Sequence, residues 1–343
     1  MVDVVATGLG SWPGDDVREA LRVVRGELTG TVPAGVQGLP YLPELPARGP
    51  GADLVGRSAH LLVDLPVDLA PQGWRLVDRP GRDAARASAL WREDLDELAE
   101  AFDGYAGRLK VQVAGPWTLA AALWKPLGDR VLSDVGATRD LIDSLAEGVR
   151  SHVLEVRRLL PGADLVVQVD EPSLPAVLAG HVRSDSGLNV LRAPEAAAAR
   201  AALGQVLEAA KDAGAVLTVV HCCAAEVPIS LLRGAGADAI SVDVALLPRR
   251  SWEPLAEAVE SGGQLWAGLL TPSTSAELSR ARAEQLLAPV LTLWHEVGLE
   301  RARLVDVAVT PTCGLSGSTP DGALEITASS VALARALADL IDG

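Results

Sequence analysis

Residues 216–226 read VLTVVHCCAAE. The stretch opens as a short run of β-branched and apolar residues and ends on an imidazole and two thiols. A continuous apolar run of this length, closed by polar residues, is the pattern of a strand buried on both faces. The same plan recurs along the chain. VVATGLGSWPG (4–14) is a strand entering a Gly/Pro turn, LKVQVAGPWTLAAALW (109–124) a strand, a Gly-Pro break and a helix start, and DLVVQVDEPSLP (164–175) a strand ending in two acids. DAISVDVALLP (238–248), QLWAGLLTP (264–272) and RLVDVAVTPTCGLSG (303–317) repeat it. Amphipathic helical patterns lie between these runs, at 137–159, 193–212, 275–297 and 322–341. In residues 15–28, Val17, Leu21, Val24 and Leu28 share one helical face, with Asp15 or Asp16 as the cap.

Strands alternating with helices demand a parallel sheet. Seven strand-plus-helix units are clear and an eighth, near 56–80, is indistinct. Eight units close a (β/α)8 TIM-type barrel, and the chain is read as one such domain spanning 1–343. The Gly/Pro-rich stretch 30–52, GTVPAGVQGLPYLPELPARGPGA, is expected as a long loop over the C-terminal face of the barrel. Polar and turn residues stand at the C-terminal ends of the strands: Ser11, Trp117, Asp170 with Glu171, His221 with Cys223, Asp243, Thr271 and Cys313. In a barrel these ends converge on one face, so residues remote in sequence become neighbours.

Acidic residues outnumber basic ones by 45 to 30, a net charge of −15. Such a surface repels phosphate backbones and anionic headgroups, which argues against nucleic acid and membrane as partners. No stretch approaches the roughly 18 consecutive apolar residues of a membrane span. The N-terminal MVDVVATGLG has no basic segment ahead of an apolar one, so a secretory signal is not expected. Three cysteines do not make a disulfide framework. A cytoplasmic, reducing setting is expected, in which thiols serve as ligands or nucleophiles.

His221 and Cys223 are two residues apart at a strand end, so their side chains point the same way. Cys222 points the other way, into the core. Cys313 ends a different strand. One imidazole and two thiolates are a zinc ligand set. An oxygen from Asp243 or Glu226 is the expected fourth donor.

These residues carry a resemblance. The series HCC, DAISVDV and TPTCGL is similar to the zinc-binding half of the cobalamin-independent methionine synthase family. GLGSWPG (8–14) resembles that family's Gly-Ser turn, QVDEPSLP (168–175) its Asp-Glu-Pro motif, and VAGPWTL (113–119) its donor-side Gly-Pro segment. The resemblance implies zinc held by His221, Cys223, Asp243 and Cys313. It implies homocysteine bound by Gly10, Ser11 and Asp170, with Glu44 of YLPELP (41–46) as a second contact to the amine and Trp117 bordering the methyl donor. The implied activity is methyl transfer to the homocysteine thiol, giving methionine, within a single barrel matching the family's C-terminal, catalytic one. Asp243 stands where the family has glutamate, and WAGLLTPST (266–274) has no histidine where the family has Asp-x-His. A methylcorrinoid, free or on a partner protein, is therefore expected as donor ahead of polyglutamyl methyl-folate. Alternative expectations are alkylation of another small thiol such as coenzyme M, or a catalytically silent zinc-binding barrel. A decarboxylase, suggested by GPWTL alone, leaves the His/Cys/Cys set unexplained.

Overall fold

The computed structural model describes residues 3–271 and 278–342. Among these, eight strands form one curled parallel sheet with helices between them. They are β1 (Val4–Ala6), β2 (Val36–Gly38), β5 (Arg108–Ala114), β6 (Asp164–Asp170), β7 (Leu217–Cys222), β8 (Ala239–Asp243), β9 (Gln264–Leu270) and β10 (Val307–Pro311). An antiparallel hairpin, β3 (Val67–Ala70) with β4 (Gly73–Leu76), lies apart from the sheet. The sheet order is β2-β1-β10-β9-β8-β7-β6-β5. The chain beyond β2 joins the two edges: Lys110 N donates to Pro40 O at 2.8 Å and Leu42 N to Lys110 O at 3.0 Å. The (β/α)8 barrel expected from the strand pattern is the fold formed.

The helices are α1 (Val17–Thr29), α2 (Leu54–His60), α3 (Arg82–Ala101), α4 (Pro116–Ala122), α5 (Val135–Leu159), α6 (Leu174–Leu178), α7 (Ala196–Asp212), α8 (Ile229–Gly234), α9 (Trp252–Glu260), α10 (Arg280–Glu296) and α11 (Pro320–Asp342). In α1 the Asp16 carboxylate accepts the Glu19 amide at 3.0 Å, and the face of Val17, Leu21, Val24 and Leu28 is buried as its spacing requires. The start expected for a helix at 275–277 lies outside the described residues, as does the end of the stretch 266–274.

Two expectations about the second barrel unit are corrected. The stretch 30–52 is not loop throughout, because β2 lies inside it and pairs in register with β1 (Val4 with Val36, Ala6 with Gly38). Only three residues pair, so the glycines and prolines around them mask the strand. Residues 56–80 hold no barrel strand but the end of α2 and the β3–β4 hairpin. The part of 30–52 beyond β2 does cross the top of β1: Trp12 N donates to Glu44 O at 2.7 Å and Glu44 N to Gly10 O at 3.0 Å.

The barrel interior is layered. Leu39, Val166, Val219, Ala239, Trp266 and Ala308 form a buried apolar cluster of their own. Two residues further along each strand, on the same side by strand parity, stand Tyr41, Gln168, His221, Ser241, Gly268 and Thr310. An apolar floor therefore underlies a polar layer, and the polar layer opens toward the strands' C-terminal ends. No described helix is long and apolar enough to cross a membrane.

Candidate metal centre

β7 delivers His221 as its penultimate residue and Cys223 just past its end; the loop after β10 delivers Cys313. One ligand atom from each lies within 4.8 Å of the others, and among the described residues no further His, Cys, Asp or Glu joins this group. The two sulfurs are 3.5 Å apart. Tetrahedral zinc with Zn–S near 2.3 Å separates two thiolates by about 3.8 Å, so the trio fits that ion with little movement. Ser241 on β8 places its Oγ 3.0 Å from His221 Nδ1 and leaves Nε2 as the ligating nitrogen. The Cys313 thiol is drawn down to about 4 by hydrogen bonds from Cys223 and His221, while the contact with Cys313 and burial push Cys223 up. Cys222 is fully buried in the main core, and burial raises its thiol to about 12.

A buried acidic pair lies beside the trio. Asp170 ends β6 and stands in register with His221 on β7. Its Oδ1 accepts Gln168 Nε2 at 2.7 Å. Glu44 is 3% exposed and accepts Gln112 Nε2 at 3.2 Å. Burial raises both carboxyls, and the charge of Glu44 raises Asp170 further; Lys110, a fully buried amine on β5 that burial lowers to about 8, draws both back in part. Two carboxylates lifted in this way are relieved by a cation placed between them.

The turn after β1 closes the site. Gly10 has φ +132°, and a Cβ there would come within 2.9 Å of Gln112. The same segment is tied down by Gln168 Nε2, which donates to Leu9 O at 2.8 Å. Ser11 sits against the Cys313 loop: Leu315 N donates to Ser11 O at 2.8 Å, and a side chain at Gly314 would overlap the Ser11 hydroxyl. The site thus brings together Gly10, Ser11, Glu44, Asp170, His221, Cys223 and Cys313.

Three of the residues singled out from the sequence meet other partners in the fold. Asp243 is at the end of β8, yet its Oδ1 accepts the Ala245 amide at 2.9 Å and caps a short 3-10 turn, Val244–Leu246. Its carboxyl stands close enough to feel the charges of Cys313 and His221, without joining the 4.8 Å group of the trio. Glu226 is exposed and paired with Arg250. Trp117 lies in α4 with 3% exposure, and its indole N–H donates to Ala199 O of α7 at 3.0 Å. A buried indole N–H requires such an acceptor, so the ring is tied to α7. Glu171 performs the capping that an acid after a strand can perform, but for a neighbouring unit. It accepts Trp117 N at 2.9 Å, Thr118 N at 2.8 Å and Thr118 Oγ1 at 2.7 Å. Ser241, Gln112, Gln168 and Lys110 were not singled out from the sequence. Their signal was an inward parity on strands with polar residues at alternate positions.

The fold and the site define a (β/α)8 barrel with a candidate metal centre on its C-terminal face, where barrels of this class carry their active sites. No protein-family model and no curated protein matches the sequence. Among solved structures, the chain is similar to a B12-independent methionine synthase from Shewanella sp. W3-18-1 in complex with selenomethionine. Identity there is 14% over 78% of this chain and 70% of that one, with a TM-score of 0.48. A putative fructose-1,6-biphosphate aldolase from Coccidioides immitis is 12% identical over 99% of this chain and 90% of that one, with a TM-score of 0.39. Pyruvate carboxylase from Rhizobium etli is 14% identical over 99% of this chain and 28% of that one, with a TM-score of 0.41. These likenesses are of fold and carry no assignment of activity.

Proposed function

We propose that the protein is a zinc-dependent methyltransferase that methylates the thiol of homocysteine. The single observation that carries this reading is the three-donor His221, Cys223, Cys313 group standing next to the buried acids Asp170 and Glu44. Three protein donors with a fourth position left over match a catalytic zinc, which keeps one position for substrate, better than a closed structural one. Zinc held there would lower the pKa of an entering thiol so that it is present as the nucleophilic thiolate.

The chain's own residues do the rest. Asp170 and Glu44 bind the acceptor's ammonium, and the turn of Gly10 and Ser11 holds its carboxylate end over the Cys313 loop. With both ends of the amino acid held, the sulfur is directed at the trio; such positioning contributes several kcal/mol, up to about 7–11 in ideal cases. A thiol with an anionic tail and no amine, such as coenzyme M, gains nothing from two carboxylates.

The methyl donor in this reading is a methylcorrinoid, free or carried by a partner protein. Transfer to sulfur leaves the electron pair on the departing group. A folate nitrogen needs a proton at that moment, and general acids typically speed such steps by about 10²–10⁴-fold. The stretch 266–274 offers no histidine for it. The net charge of −15 also opposes an anionic polyglutamyl tail. The zinc-loaded protein is expected to form methionine from homocysteine faster with methylcobalamin than with methyl-folate triglutamate. Methionine measured by mass spectrometry decides it, and faster turnover with the folate overturns this choice of donor.

A further inference from the structure

Behind Glu44 lies a buried ionic assembly contributed by the excursion between β2 and β5. Arg57 of α2 is 2% exposed and Asp94 of α3 is 0% exposed. Arg57 Nη1 donates to Asp94 Oδ2, and Arg48 Nη2 donates to Asp94 Oδ1. The Arg57 guanidinium also lies over the Trp91 ring, 4.8 Å from its centroid. These contacts fix the plane of the fork. Its remaining edge, Nε, faces Glu44 Oε1 at 3.8 Å and meets no hydrogen-bond partner among the described residues.

A charge buried this deeply is costly unless it is paired. Asp94 is already satisfied by two arginines, so Arg57 carries charge beyond what Asp94 needs, and the group in front of it is Glu44. Burial pushes the Glu44 carboxyl up, and Arg57 is the strongest of the groups drawing it back, ahead of Gln112 and Lys110. Gln112 holds the same carboxylate oxygen from the barrel side. Glu44 is thus gripped between the barrel wall and the outer helices.

We propose that Arg57, pinned by Asp94, is a positioning residue that holds the Glu44 carboxylate facing the ammonium of the acceptor amino acid. This role rests on the acceptor proposed above. A guanidinium fork suits it because one planar group reaches two carboxylates at once.

The test is calorimetric binding of two thiols to the zinc-loaded protein. L-Homocysteine carries an ammonium; 4-mercaptobutanoate has the same thiol and carboxylate without it. The unaltered protein is expected to prefer homocysteine. Arg57→Gln is expected to weaken homocysteine by about tenfold, the scale of one charged hydrogen bond, and to leave 4-mercaptobutanoate unchanged. Arg57→Lys should recover part of the loss by restoring the charge. Should Arg57→Gln fail to fold with Asp94 left short of a partner, the double variant Arg57→Gln/Asp94→Asn removes both charges, and the same selective loss is expected. Equal weakening of both thiols, or of neither, overturns the positioning role and leaves the acceptor reading standing. Absence of any preference in the unaltered protein overturns the acceptor reading, and the role of Arg57 with it.

Discussion

Cys223→Ser and Cys313→Ser are each expected to leave the purified protein without zinc, whereas Cys222→Ser is expected to retain about one zinc per chain. The difference follows from strand parity and position. Cys223 and Cys313 approach one another to 3.5 Å beside His221. Cys222, the residue between His221 and Cys223, points into the core with a thiol that burial keeps protonated. A serine hydroxyl is a poor replacement for a thiolate, because it is neither soft nor deprotonated at neutral pH. With three protein donors in the group among the described residues, losing one leaves two, too few to hold the ion against a chelator. Elemental analysis after dialysis against a weak chelator reads the outcome. Equal zinc loss from Cys222→Ser would mean that the ion sits elsewhere.

Asp170→Asn is expected to weaken homocysteine binding by about 10- to 100-fold, corresponding to a charged hydrogen bond of about 1.5–3 kcal/mol. The side chain is 6% exposed and is oriented by Gln168, so an ammonium that reaches it does so largely out of water. Asparagine keeps the shape and one acceptor and loses the charge. Zinc content should not change, because Asp170 lies outside the donor group. Calorimetry with the zinc-loaded variant separates the two effects. An unaltered affinity would show that Asp170 serves only to hold Gln168 and the turn after β1.

The parts legible in the sequence were those governed by short-range periodicity. Alternation along a strand places His221 and Cys223 on one side and Cys222 on the other. A 3.6-residue spacing identifies α1, α5, α7 and α11 to within a few residues. The less legible parts depend on what a side chain meets after folding. Asp243 stands at the strand end the pattern marks, and a backbone amide two residues on takes one of its two oxygens, which no local pattern reports. Trp117 and Glu171 find partners in the adjoining unit, and no local pattern reports this. β2 is three residues long within a Gly/Pro-rich stretch, so its strand character comes from the neighbours that complete the barrel. Arg48, Arg57 and Asp94 are separated by loops and a hairpin, and their convergence behind Glu44 follows from the path of the excursion between β2 and β5.

The central claim is that a substrate thiol binds at the metal held by His221, Cys223 and Cys313. Zinc-edge X-ray absorption on the zinc-loaded protein, before and after addition of L-homocysteine, measures it directly. The expected change is a gain of one sulfur neighbour at about 2.3 Å with the loss of a lighter one. A shell that stays the same at saturating homocysteine would contradict the account.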